Sequence, residues 1–158
     1  MSWLGSKVKI EIEWLGNEDL RIKFDSKAMD DVTVAKSRIP REERGGEARE
    51  LLAASVAECM MSTLLFYLKW AKLEFDGLNT VVEIITDKDD KGRYSVGAVN
   101  LNFVVDSAND EDALRKVERA KKMLDRGCFI SRSLTRGIRL NYSIETRKIH
   151  EPKALMRP

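Results

Sequence analysis

The sequence predicts an α+β fold in which groups of strands flank one long apolar helix. Apolar and polar residues alternate with a period of two over residues 8–14 and again over 138–144, which is typical of half-buried strands. Between them lies an apolar run, 51–68, with a single charge at Glu58. The predicted order is βββ-α-ββ-α-β, and its short hairpin connections favour a mostly antiparallel sheet around a buried central helix.

The first fifty residues predict a hairpin, a short third strand and a loop. The first strand is marked by Val8, Ile10, Ile12 and Trp14, and the second by Leu20, Ile22 and Phe24. A turn at 15–19 joins them, and Val32 with Val34 indicates the third strand. The polar segment 35–47 contains Pro40 and two glycines, so we expect a mobile loop of the kind that often covers a site.

The apolar run predicts a helix from about residue 47 to 73. Its length is at the lower limit for spanning a membrane, but Glu58, three hydroxyl side chains and polar flanks favour a buried core helix. The packed seam is expected to contain Leu52, Val56, Cys59, Thr63, Phe66 and Trp70. A helix that is apolar around nearly its whole circumference must be buried on every side. The short strands and the one further helix of a single chain can hardly enclose it. We therefore expect a twofold dimer.

The second half predicts two strands, a helix pair and a final strand. Strands are expected at 81–86 and 93–105, with a β-bulge at Gly97 where the alternation changes phase. Acids at the start and lysines at the end of 109–125 match a helix dipole, and a short helix follows at 129–136. The final strand contains Ile138, Leu140, Tyr142 and Ile144. The chain is thus expected to form one domain over 1–146 with a tail at 147–158.

Composition excludes several classes of function. The 28 basic and 26 acidic residues give a net charge of +2, so no basic strip for nucleic acid or an anionic membrane is expected. The one histidine, His150, lies in the predicted tail, which argues against histidine-based catalysis and metal binding. We expect neither a metal nor an organic cofactor. The N-terminus lacks the apolar core of a signal peptide, which predicts a reducing, cytoplasmic location.

Two cysteines, Cys59 and Cys128, are 69 positions apart and form no C-x-x-C motif. Two interpretations stay open: two inert buried thiols, or a redox pair that the fold brings together. Local charge favours the thiolate at Cys128, because Arg126 and Arg132 are close in sequence, whereas Glu58 disfavours it at Cys59.

Two motifs share a familiar arrangement. The run E-L-L-A-A-x-x-A-x-C covers 50–59, and G-C-x-x-S-R-S-L covers 127–134, before another glycine and a strand. Together they resemble the osmotically inducible protein C and organic hydroperoxide resistance (OsmC/Ohr) family over about 14–145. The resemblance implies an intertwined homodimer whose two central helices are wrapped by sheets. It also implies thiol-dependent reduction of small organic hydroperoxides, with an external dithiol as reductant.

By this resemblance, Cys59 corresponds to the peroxidatic cysteine and Cys128 to the resolving cysteine. Glu50 matches the position beside the acid of the family's active site, where it could pair with an active-site arginine. Arg49, Glu58 and Phe129 stand where the peroxidases usually carry an acid, a small residue and a proline. These differences keep an alternative open, a non-catalytic dimeric module that binds an apolar small molecule or senses oxidant.

Overall fold

The computed structural model describes residues 7–108, 110–135, 137 and 139–148. The chain divides into two compact units, Met1–Glu50 and Leu51–Pro158. Several residues of the sequence predictions lie outside the described residues, namely Asn109, Arg136, Ile138, His150 and the rest of the predicted tail beyond Lys148.

The first unit contains the three predicted strands. They are β1 (Ile10–Gly16), β2 (Asp19–Phe24) and β3 (Val32–Val34), and they form an antiparallel sheet in that order. Asn17, with a φ of +50°, takes the left-handed conformation that the tight turn between β1 and β2 requires. The expected loop at 35–47 contains two 3₁₀ turns, Lys36–Arg38 and Arg41–Glu43.

The expected burial of one face of β1 is wrong for this chain. Ile10, Ile12 and Trp14 alternate as predicted, but all three are exposed, Trp14 to 69%. The first unit is a single layer of three strands with two short turns, and one layer cannot cover both faces of its own sheet.

The second unit contains the other elements in the predicted order. They are α1 (Glu47–Trp70, which starts at the end of the first unit), β4 (Phe75–Lys88), β5 (Tyr94–Ser107), α2 (Glu111–Leu124), α3 (Phe129–Leu134) and β6 (Arg139–Lys148). The last strand extends two residues past Thr146, where we expected the tail to begin. A bidentate ion pair of Arg147 with Asp106 on β5 joins this extension to the sheet.

The core of the second unit lies between the sheet and two helices. The inner face of β5 supplies Val99, Leu101, Phe103 and Val105, all buried. The helices add one row each: Val56, Met60, Leu64 and Leu68 from α1, and Ala113, Val117, Ala120 and Leu124 from α2. Both rows follow the three- and four-residue spacing at which helix positions share a face.

The expected seam of α1 is partly wrong. The buried row advances by four residues, while Phe66 and Trp70 are 54% and 55% exposed. The predicted seam and the buried row share Val56. Each step of four residues turns about 40° past a full turn of the helix, so the buried row moves away from the predicted seam after Val56. By length and composition α1 could cross a membrane, yet one side of it packs in the core as expected. On its other side, the described part of α1 exposes Phe66 and Trp70.

The last strand pairs in an unexpected direction. β4 and β5 are antiparallel, but β6 runs parallel to β5, with Val99 opposite Leu140 and Phe103 opposite Ile144. A parallel neighbour requires a long crossover, and α2 and α3 provide it. The alternation of apolar and polar residues over 139–148 correctly predicts which face of β6 points to the core. It does not distinguish parallel from antiparallel pairing with β5.

The predicted β-bulge at Gly97 is confirmed. Ile85 pairs with Ala98 and the next residue, Thr86, pairs with Val96, which leaves Gly97 as the extra residue. A Cβ atom at position 97 would overlap with the carboxylate of Asp87. This close approach explains why a glycine stands here.

We expect Gly97→Ala to lower the free energy of unfolding by at most about 1 kcal/mol, because the added methyl group must displace the Asp87 side chain, which is exposed and can turn towards solvent. Asp87 is exposed, so Asp87→Ala alone should change stability little. The double variant should recover most of the loss in urea unfolding at equilibrium. Additive losses in the double variant would show that the Asp87 carboxylate is not the cause.

Candidate functional site

The structure brings the two cysteines together. Cys59 lies in the middle of α1 and is partly buried, and Cys128 is the N-cap residue of α3 and only 4% exposed. Both are free thiols, and they lie close enough for Cys128 to raise the pKa of Cys59.

The first turn of α3 supplies an N–H group to each sulfur. The backbone N–H of Ser131 donates to Cys128 Sγ at 3.3 Å, and the backbone N–H of Ile130 faces the Cys59 thiol and lowers its pKa. The first N–H groups of a helix have no partner within the helix. Here the sulfur of Cys128 takes the place of an ordinary oxygen cap.

Ser131 completes a capping box with Cys128. The N–H of Cys128 donates to Ser131 Oγ at 2.8 Å, and this hydroxyl also contacts the Cys128 carbonyl oxygen at 3.2 Å. Ser131 is only 2% exposed. We did not single it out from the sequence, although the signal was present: Cys128 and Ser131 have the N-cap to N3 spacing of a capping box, with sulfur in place of a hydroxyl.

Burial decides the ionisation of Cys59. It raises the pKa of this thiol from the ordinary 9.0 to about 11, and the hydrogen bond with Cys128 adds to the rise. The N–H of Ile130 acts in the opposite direction and lowers the pKa. Within Leu51–Pro158, no described lysine or arginine is among the groups that shift this pKa. These surroundings alone keep Cys59 protonated at neutral pH.

The neighbouring acid, Glu58, points away from the sulfurs. Its side chain is exposed, and the hydroxyl of Ser62 donates to its Oε1 at 2.8 Å. Its charge makes the last of the contributions that raise the Cys59 pKa, after burial and Cys128. Adjacent residues diverge by about 100° on a helix, so proximity in sequence overstates the effect of Glu58.

Glu50 lies in the first turn of α1, nine residues before Cys59 in the sequence, and its side chain is exposed, as is that of Arg49. An acid in the first turn also interacts favourably with the helix dipole. Among the described residues, no group of three or more His, Cys, Asp or Glu side chains could hold a metal ion.

One contact that the sequence did not predict ties the sheet to the segment before Cys128. The Tyr142 hydroxyl on β6 donates to the carboxylate of Asp125, the C-cap residue of α2. Burial and this carboxylate raise the pKa of Tyr142. Gly127, with a φ of +75°, then turns the chain into α3. The approach to Cys128 is therefore held from the sheet as well as from the core.

Comparisons with known proteins agree with this architecture. The OsmC-like protein family matches residues 41–143. An OsmC-like protein from Mycoplasma pneumoniae has 16% identity and a TM-score of 0.66, over 92% of this chain and 99% of that one. An organic hydroperoxide resistance protein from Elizabethkingia anophelis has 17% identity and a TM-score of 0.62, over 90% and 97%. At these identities the likeness shows the fold. No curated protein matches the sequence.

The raised pKa of Cys59 predicts how stability depends on pH. A thiol that holds its proton more tightly when folded gives stability that is complete below about pH 9 and is lost as the pH rises towards 11. Tyr142 acts in the same direction, so the useful quantity is the difference between the wild type and Cys59→Ser. In urea unfolding of the reduced proteins, the wild type should lose free energy of unfolding relative to Cys59→Ser as the pH rises from 9 to 11. Parallel curves over this range would contradict the assignment.

Proposed function

Since the chain belongs to the OsmC-like protein family, we propose that it is a thiol-dependent peroxidase that reduces organic hydroperoxides. The observation that carries this proposal is the meeting of Cys59 and Cys128, which are 69 positions apart in the sequence. Relatives of the same fold include proteins described as organic hydroperoxide resistance proteins. The reaction needs two thiols and a dithiol reductant, so we propose a reducing, cytoplasmic setting.

The proposed reaction has three balanced steps. The Cys59 thiolate attacks the O–O bond of the hydroperoxide, takes up one oxygen as a sulfenic acid, and releases an alcohol after protonation. The Cys128 thiol then condenses with the sulfenic acid, which forms the Cys59–Cys128 disulfide and releases water. An external dithiol reduces this disulfide by exchange and becomes a disulfide itself.

Accessibility supports this order of the two cysteines. Cys59 is partly exposed, whereas Cys128 is almost completely buried and is held by Ser131. A bulky hydroperoxide reaches an exposed sulfur more easily than a buried one. The arginines near Cys128 in sequence favour its thiolate and hence the opposite order of reaction. They do not make the buried Cys128 sulfur accessible to a hydroperoxide.

The reaction also needs a cation close to Cys59, because its surroundings in Leu51–Pro158 raise the pKa. We propose that an arginine or lysine of the N-terminal strands or of 35–47 supplies it, from a second copy of the chain. The candidates are Arg21, Lys27, Lys36 and Arg38. Glu50 is proposed to orient this cation as its ion-pair partner.

A second function has one specific observation in its favour. Without an added cation, a thiol with a pKa of about 11 is a poor nucleophile at neutral pH. The chain would then be a dimeric module that binds an apolar small molecule or senses oxidant. An acyl-like ligand bound beside an unreactive Cys59 would favour this alternative.

The order of reaction gives the decisive test. We expect mass spectrometry after a stoichiometric pulse of an alkyl hydroperoxide to find a Cys59–Cys128 disulfide in the wild type. Cys128→Ser should keep the first turnover and stop at a Cys59 sulfenic acid, which excess peroxide oxidises further. Cys59→Ser should lose even the first turnover.

Two outcomes of this experiment would contradict the proposal. A first turnover that survives in Cys59→Ser and is absent in Cys128→Ser would reverse the two roles. A wild-type protein that consumes peroxide no faster than Cys59→Ser would remove the enzyme function and leave the binding module.

We also propose a homodimer, because α1 exposes Phe66 and Trp70 along the side next to its buried row. Sedimentation at micromolar concentration should give about twice the 18.0 kDa of one chain. Phe66→Asp should shift the protein towards the monomer, because it places a charge in the proposed interface. The matched change Leu114→Asp, at an exposed leucine of α2, should leave the dimer intact. A wild-type species of 18.0 kDa would reject the dimer.

A further inference from the structure

We propose that Ser131 is a positioning residue that holds Cys128 ready to form a disulfide with Cys59. The inference rests on the proposed function in one respect: it takes the Cys59–Cys128 disulfide as the oxidised state of the site. It adds a residue that neither reacts nor contacts substrate, and that sets how readily this disulfide closes.

Ser131 fixes Cys128 through three contacts. Its hydroxyl accepts from the Cys128 N–H at 2.8 Å and contacts the Cys128 carbonyl oxygen at 3.2 Å, while its own N–H donates to Cys128 Sγ at 3.3 Å. Backbone and sulfur of Cys128 are thus both held from one residue. With Ser131 2% and Cys128 4% exposed, little water competes for these hydrogen bonds.

The same turn also faces the other sulfur. The N–H of Ile130, directly before Ser131, lies close enough to the Cys59 thiol to lower its pKa. Ser131 therefore anchors the short turn of backbone that faces both sulfurs. A rigid turn keeps the two thiols close before any bond forms between them.

This arrangement lowers the entropic cost of disulfide formation. Two thiols held in place before reaction behave as if present at a high effective concentration. If the Ser131 hydroxyl is lost, the Cys128 backbone N–H loses its acceptor and its carbonyl loses a partner. Cys128 must then become ordered as the disulfide forms, and this cost lowers the effective concentration of the two thiols.

The same helix offers a matched control at Ser133. Its hydroxyl donates to the Phe129 carbonyl oxygen at 2.9 Å and its side chain is exposed. Ser133→Ala makes the same chemical change two residues away. The hydroxyl that it removes is bonded to Phe129 and not to Cys128. Any general effect of removing a serine hydroxyl from α3 should appear in both variants.

The test is a redox titration of the full chain with glutathione. Dithiol protein and oxidised glutathione give protein disulfide and two reduced glutathiones, so the equilibrium constant has units of concentration and measures the effective concentration of the two thiols. We expect Ser131→Ala to lower this constant about fivefold, the usual effect of losing a helix cap. Ser133→Ala should stay within twofold of the wild type. Equal constants for Ser131→Ala and the wild type would overturn the inference.

A measurement on the wild type keeps the inference testable if Ser131→Ala does not fold. In the reduced protein, the Cys128 amide should exchange its hydrogen slowly, because Ser131 Oγ accepts its hydrogen bond. Exchange as fast as that of an exposed amide would mean that Cys128 is not held before reaction, and would overturn the inference.

The titration also separates this inference from the proposed function, since it contains no peroxide. If the wild type forms the disulfide with oxidised glutathione but not with an alkyl hydroperoxide, the peroxidase proposal fails and the role of Ser131 stands. If peroxide gives the disulfide at equal yields and rates in the wild type and Ser131→Ala, and their titrations agree, the peroxidase proposal stands and the role of Ser131 fails.

Discussion

The packing of one side of α1 against the inner face of β5 is the contact on which the cysteine pair depends. Val56, Met60, Leu64 and Leu68 fix the rotation of the helix, because all four are buried in the same core as the strand. Cys59 lies about 60° around the helix from Val56 and about 100° from Met60, to one side of the buried row. This places its sulfur at the border of the core, where it is partly exposed and still in contact with buried groups.

Cys128 reaches the same border along a different path. The buried row of α2 ends at Leu124, Asp125 is held by Tyr142 of β6, and Gly127 turns the chain into α3. Two segments far apart in sequence are thus anchored separately and meet at their sulfurs. The burial that brings them together also raises the Cys59 pKa. The second unit therefore contributes the positions of the two thiols but does not lower the pKa of Cys59.

Local features of this fold were predictable from the sequence, and features that depend on distant contacts were not. The start of α1 and the bulge at Gly97 follow from hydrophobic periodicity. The parallel direction of β6 depends on the crossover, and the exposure of Trp14 and Phe66 depends on which surfaces find cover. The pairing of Cys59 with Cys128 came from the family resemblance, since spacing alone left it open. The Tyr142–Asp125 contact joins elements whose relative placement no local pattern encodes.

The position of Cys59 links two unmet requirements of the chain. Cys59, Phe66 and Trp70 lie on the same side of α1, because separations of seven and eleven residues return to nearly the same angle on a helix. Phe66 and Trp70 leave apolar surface exposed there, and Cys59 lacks a cation within Leu51–Pro158 among the described residues. A surface that covers this side would exclude water from the aromatic rings and would approach the Cys59 sulfur. Burial without charge would raise the Cys59 pKa further, so a cover that serves catalysis must bring a basic side chain. Assembly and activation are therefore expected to depend on the same face of one helix.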